Sequence, residues 1–171
     1  MRLVDSYVAL SRYNTWMNEK LYDVAAQLSD EERKRDVRAF FRSIHGTLNH
    51  LLFADRTWLL RFGVAGVTPN PAGGAAFGPD MHDDFAELRR ERRAADVLLD
   101  AWTKSLTDEA LDATFRYSTL SGIACEHPLS FAVQHLFNHQ THHRGQVTAL
   151  LMQLGHDPGV TDLLVLLRQP A

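Results

Sequence analysis

A helical stretch rich in histidine constrains this chain most: residues 134–146 hold four of its nine histidines. At 100° per residue, Ala132, Leu136, Val147, Leu150 and Leu154 share one arc, and His139, His143 and Gln146 fall inside it. The polar side chains therefore point at the core. A buried imidazole without a partner costs roughly 1–3 kcal/mol, so this arc requires either a hydrogen-bond network or a metal ion. His139 and His143 are four apart, which stacks them one turn over the other and lets two ring nitrogens converge on one ion.

The rest of the chain supplies partners for that helix. Leu10, Tyr13, Met17, Leu21, Val24 and Leu28 repeat at three and four, predicting a first helix over residues 3–28. Asn14 and Asn18 on it read as hydrogen-bonding amides, at the surface or between helices. Ser29 to Glu32 has capping-box spacing. A second helix over 40–62 carries the arc Phe40, Ile44, Leu48, Leu51, Trp58 and Phe62, with Asp55 inside it. An acid there needs a buried partner, with Arg144 or an imidazole as candidates. His50 and His45 sit on opposite shoulders of this arc, and periodicity does not choose between them.

Residues 63–80 carry five glycines and three prolines without apolar period, which predicts a long loop between the second and third helices. The third helix is expected over 81–106 with His82 exposed at its start, and an extended segment over 114–119. The fourth begins near Pro128 and ends at Gly155, before a short apolar tail over 162–168. Residues 1–171 read as one domain, because candidate metal ligands lie on both sides of the long loop. The tail, more aliphatic than a single exposed terminal turn, suggests a homodimer or packing back on the bundle.

Charge and composition narrow the function. A net charge of −3 leaves no basic footprint for nucleic acid, and the runs Arg33-Lys34-Arg35 and Arg89-Arg90-Glu91-Arg92-Arg93 read as solvated helix faces. The longest aliphatic run is far too short to span a bilayer, and the first residues lack a signal-peptide core; a cytoplasmic protein is expected. The one cysteine, Cys125, excludes an internal disulfide and any multi-cysteine metal site, and reads as an incidental loop thiol.

His139 and His143 have the separation found on a zinc protease helix, but Gln140 stands where that motif needs glutamate. A neutral amide is no general base. No glutamate has a histidine three residues on, which removes a dinuclear carboxylate site, and haem lacks any attachment motif. What remains is one mononuclear site with His139, His143 and a third ligand, against a metal-free histidine network. The crowding of five histidines between His127 and His143 favours the metal. Neutral imidazoles suit zinc, nickel, iron or copper, zinc or nickel first with iron or manganese as further options for the ion, and three of them leave a position open.

The string from Asn138 to Gln146, with Asn49-His50-Leu51-Leu52, Asp55 and Trp58 upstream, resembles the DinB family of damage-inducible and related bacterial proteins. Tyr13-Asn14, Asn18 and the segment from Gly155 to Leu164 extend the resemblance over nearly the whole chain. It implies an all-α fold, a four-helix bundle, with a tri-histidine site for one divalent metal ion at His50, His139 and His143. Relatives with known activity imply a metal-dependent transferase joining a small-molecule thiol to an electrophilic substrate. The alternative is a non-catalytic metal-binding stress-response protein or ligand-binding module. Within the first reading Gln146 supports a ligand, Arg144 pairs with an acid, and Gly145 allows close approach of a neighbouring helix.

Overall fold

The computed structural model describes residues 2–71 and 80–168. Part of the long loop, residues 72–79, therefore lies outside the described residues. In chain order the elements are α1 (Leu3–Ala25), α2 (Asp30–Lys34), α3 (Ile44–Arg61), α4 (Phe85–Ser105), α5 (Asp108–Asp112), β1 (Thr114–Ser118), β2 (Ala124–Pro128), α6 (Leu129–Gln153) and α7 (Leu163–Leu167). The four long helices, α1, α3, α4 and α6, form the expected bundle, α1 and α3 each packing against both α4 and α6. One residue from each long helix, Leu21, Leu51, Leu99 and Leu136, is at most 1% exposed in a shared core cluster. Truncating any of them to alanine would cost about 2–5 kcal/mol.

Caps set the boundaries. The Ser29 side chain accepts from Glu32 N while the Glu32 carboxylate accepts from Ser29 N, completing the predicted capping box. Asp84 caps α4 and Thr107 caps α5 in the same way, each accepting the N–H three residues on. Gly155, with φ +82°, follows Leu154, the C-cap of α6, as its left-handed stop.

The second long helix starts later than its periodicity suggests. Ser43 is the N-cap, accepting from Gly46 N at 2.9 Å, and Arg42 before it takes φ +66°. Asp36 pins the turn through Arg38 N and the Arg42 guanidinium. Phe40 is thereby left outside the helix and 70% exposed, not on its apolar arc. The turn also folds back on the helix start, so closely that a Cβ added to Gly46 would collide with the Phe41 carbonyl oxygen. Close approach is needed at Gly46. Gly145, for which the same role was expected, has open space where its Cβ would stand, with nothing within 4 Å.

The end of the long loop is fastened to α3. Asn49 accepts from His82 N at 3.0 Å and donates to His82 O at 3.1 Å, while His45 Nε2 lies 2.8 Å from the same carbonyl and donates to it. His82 is consequently not the exposed side chain expected: it is 15% exposed, beside Arg56.

The extended segment finds a partner that periodicity does not reveal. Strands β1 and β2 pair antiparallel, with Tyr117 opposite Cys125 and Arg116 opposite Glu126. Arg116 and Glu126 meet on the solvent side at 2.7 Å, whereas Phe115 and Tyr117 face Phe62, the residue that caps α3, and Trp58 within it. Cys125 thus lies on a strand, not in a loop. The apolar tail forms α7 and packs back on α1, burying Leu166. Among the described residues no helix is long and apolar enough to cross a membrane.

Candidate metal centre

Helix α3 supplies His50, and α6 supplies His139 and His143 one turn apart. Their ring nitrogens converge: His139 Nε2 is 3.1 Å from Nε2 of His50 and 3.1 Å from Nε2 of His143. One ligand atom from each of the three lies within 4.8 Å of the other two. Nitrogens held 2.0–2.1 Å from a tetrahedral zinc would stand about 3.3 Å apart, so this spacing suits one shared ion.

The protonation pattern fits as well. His143 Nδ1 lies 2.7 Å from Gln146 Oε1, an oxygen that can only accept, so Nδ1 carries the hydrogen and Nε2 offers its lone pair to the cluster. The other end of that amide, Gln146 Nε2, lies 3.3 Å from His142 Nε2. Burial, and then the neighbouring His143 and His50, push the His139 pKa down to about 3. His143 is also lowered by burial, against the Gln146 hydrogen bond. Neutral imidazoles are the form that binds a cation.

Phe41 covers one side. Its ring stacks on His50 with centroids 3.8 Å apart and planes 17° from parallel, and meets His143 edge-on at 5.3 Å. Nothing in the periodicity points to Phe41, because the turn that delivers it depends on the left-handed backbone at Arg42.

The other histidines are not part of this group. His45, fully buried, serves the His82 carbonyl. His135 lies on the Trp58 side of His139, with ring centroids 6.0 Å from His139, and His142 is exposed. Between His50 and His45, the structure thus brings His50 to the cluster.

The carboxylates are elsewhere. Gln140, 0% exposed, donates to Asp55, so the residue at the protease-base position does not serve the histidines. Asp55 Oδ2 pairs with Arg92 at 2.6 Å, and Arg92 also holds Asp96 at 2.9 Å. This corrects two expectations: the ion-pair partner of Asp55 is Arg92 rather than Arg144, and Arg92 is a 2% exposed core residue rather than part of a solvated face. Its place was readable, since Leu88, Arg92, Ala95 and Leu99 keep helical spacing. Asn14 and Asn18 are the interhelix amides, both donating to Asp96 at 3.0 Å. Arg144 donates to Asn14, and burial pushes its pKa down to about 10.

The DinB family model matches residues 4–170. The chain belongs to the DinB family. It is 26% identical over 157 residues to Protein DinB of Bacillus subtilis (strain 168), covering 90% of this chain and 88% of that protein. A DinB-like protein from Bacillus cereus ATCC 10987, known from a crystal structure, superposes with a TM-score of 0.65 at 23% identity, covering 91% of this chain and 96% of the other. That likeness speaks for the fold. Family membership and the three-histidine cluster together fit a metal-binding protein.

Proposed function

We propose that this chain binds one divalent metal ion through His50, His139 and His143 and catalyses transfer of a small thiol to an electrophilic small molecule. The observation that carries it is the convergence of three Nε2 atoms in a cluster that includes no carboxylate among the described residues. When bound, the cation would supply Lewis acidity and favour the ionised form of sulfur, the task that a protein base performs elsewhere. Zinc and nickel suit three neutral imidazoles, and iron or manganese are the weaker candidates.

The chain's own groups do the rest. Gln146 holds His143 in the tautomer that presents Nε2. The depressed pKa of His139 keeps that ring neutral through the physiological range. Phe41 shields the His50 face from water. Fastening residue 82 to Asn49 and His45 holds the end of the 63–80 loop against the helix that carries His50.

The test has two stages. Elemental analysis of tag-free protein should give one metal per chain, lost in His139→Ala and His143→Ala but kept in His142→Ala. Loaded protein should then consume thiol and electrophile from a broad panel, and lose that activity on chelation. Stoichiometric metal with no turnover on any pair would leave the non-catalytic metal-binding protein as the reading.

A further inference from the structure

The helix that carries His50 continues toward a cation. Residues 50, 54, 58 and 61 follow one stripe of α3, since eleven residues at 100° return within about 20° of the start. The stripe places Trp58 and Arg61 on the His50 side of the helix. Across from it, His135 stands one turn before His139 on α6, its ring 5.2 Å from Trp58 and 6.0 Å from His139. The three-histidine cluster, His135, Trp58 and Arg61 therefore form a continuous line.

Arg61 differs both from the buried or half-buried arginines that meet carboxylates and from Arg144, which spends its donors on Asn14, Gln140 and Thr141. Arg56 pairs with Glu91, Arg89 with Asp23 and Arg92 with Asp55 and Asp96. Arg61 has no carboxylate within ion-pair distance among the described residues. Its guanidinium lies over Trp58 at 4.7 Å and Tyr117 at 5.1 Å, and one of its five N–H groups donates to Ser118 O at 2.9 Å. Burial lowers its pKa, the mark of a cation that has lost part of its water. His135 makes no hydrogen bond among the described residues. A planar, partly desolvated fork with unused donors, beside an imidazole with free nitrogens, is suited to a carboxylate.

We propose that this line is a subsite for a small ligand with a terminal carboxylate, which Arg61 and His135 hold while the ligand's reactive end reaches the three histidines. The proposal rests on the metal-binding reading above and adds the substrate class. From His50 to Trp58 the axis advances about 12 Å, so the carboxylate must stand several bonds from the reacting atom. Trp58 and Tyr117 supply the apolar wall between the two ends.

The test uses cobalt-loaded full-length protein, following the thiolate-to-cobalt charge-transfer band with 6-mercaptohexanoate and with 6-mercapto-1-hexanol. The acid should bind about 10-fold more tightly than the alcohol, the size expected for a charged hydrogen bond. Arg61→Gln should erase that preference without changing affinity for the alcohol, and Arg61→Lys should keep part of it. Mercaptoacetate, too short to reach, should show no advantage over 2-mercaptoethanol. A preference that survives Arg61→Gln, or that mercaptoacetate shares, would overturn the subsite while leaving the metal reading intact. Failure to bind cobalt or either thiol would count against the metal reading instead. Calorimetry of metal-free protein with hexanoate and 1-hexanol then decides the subsite, which stands only if Arg61→Gln weakens the acid alone.

Discussion

Asp55 and His50 are less than two turns apart on α3, yet they belong to polar clusters built on different rules. Around Asp55, charges meet their opposites: two carboxylates, Asp55 and Asp96, share Arg92, and the amides of Asn14, Asn18 and Gln140 take up the remaining oxygens. Around His50, like groups meet: three ring nitrogens face one another with no acid between them. The first cluster gives its carboxylates partners within the protein and joins all four long helices. The second turns its nitrogens toward a common point. Both are polar groups in a helical core, and only the second has a reason to bind something.

The comparison breaks most visibly at Arg92. Replacing it by leucine strands Asp55 and Asp96, two carboxyls that burial already pushes up from their usual pKa. The expected loss is about 3–5 kcal/mol in urea unfolding, because a partner is removed and a buried charge remains. Folded Arg92→Leu at low temperature should still bind metal stoichiometrically. A small loss of stability would mean that water reaches the network and that it is no sealed core.

At the histidines the order of effects reverses. His143→Ala should leave metal-free stability near that of the wild type but abolish stabilisation by added metal, about 2.7 kcal/mol when metal is 100-fold above its Kd. Thermal unfolding with and without chelator measures both. His135→Ala should retain the metal-dependent shift. If His135→Ala lost it and His143→Ala kept it, the ligand set would be wrong.

How legible the two clusters were in the sequence follows from how each is made. His139, His143 and Gln146 could be placed inward because one helix carries them and a helix has a fixed period. Crossing to another helix exceeded what periodicity can resolve: His50 and His45 flank the same arc, and only the family resemblance chose between them. Arg92 was misread because its neighbours Arg89, Arg90 and Arg93 look like a solvated run, although its own spacing from Leu88 and Leu99 is that of the core. Phe41 and β2 lay beyond reach, since one depends on left-handed backbone at Arg42 and the other on a strand pairing with no helical signature.

Acid separates the clusters again. In metal-free protein the His139 pKa is about 3, below the 6.5 of an unfolded imidazole, so between those values the unfolded chain binds the extra proton. Its contribution is fully present above pH 6.5 and is lost as pH falls toward 3. The slope from this one group is at most about 1.4 kcal/mol per pH unit. His139→Gln should flatten the fall between pH 6 and 4, as read by urea midpoints at successive pH values. An unchanged slope in that variant would place the titrating group elsewhere.

The smallest effect is expected at Gly145, which directly follows His143 of one cluster and Arg144 of the other but faces away from both. It is exposed, within α6, and an added Cβ would meet nothing within 4 Å. No neighbouring helix therefore needs the missing side chain, and glycine there only loosens the unfolded chain. Gly145→Ala should stabilise the protein by about 0.5–1 kcal/mol, the helix-propensity difference, and leave metal affinity unchanged. Because the substitution touches neither set of polar contacts, it measures the helix they share. A destabilised Gly145→Ala would mean that another surface packs on that face in solution, and a second copy of the chain would be the first candidate to test by sedimentation.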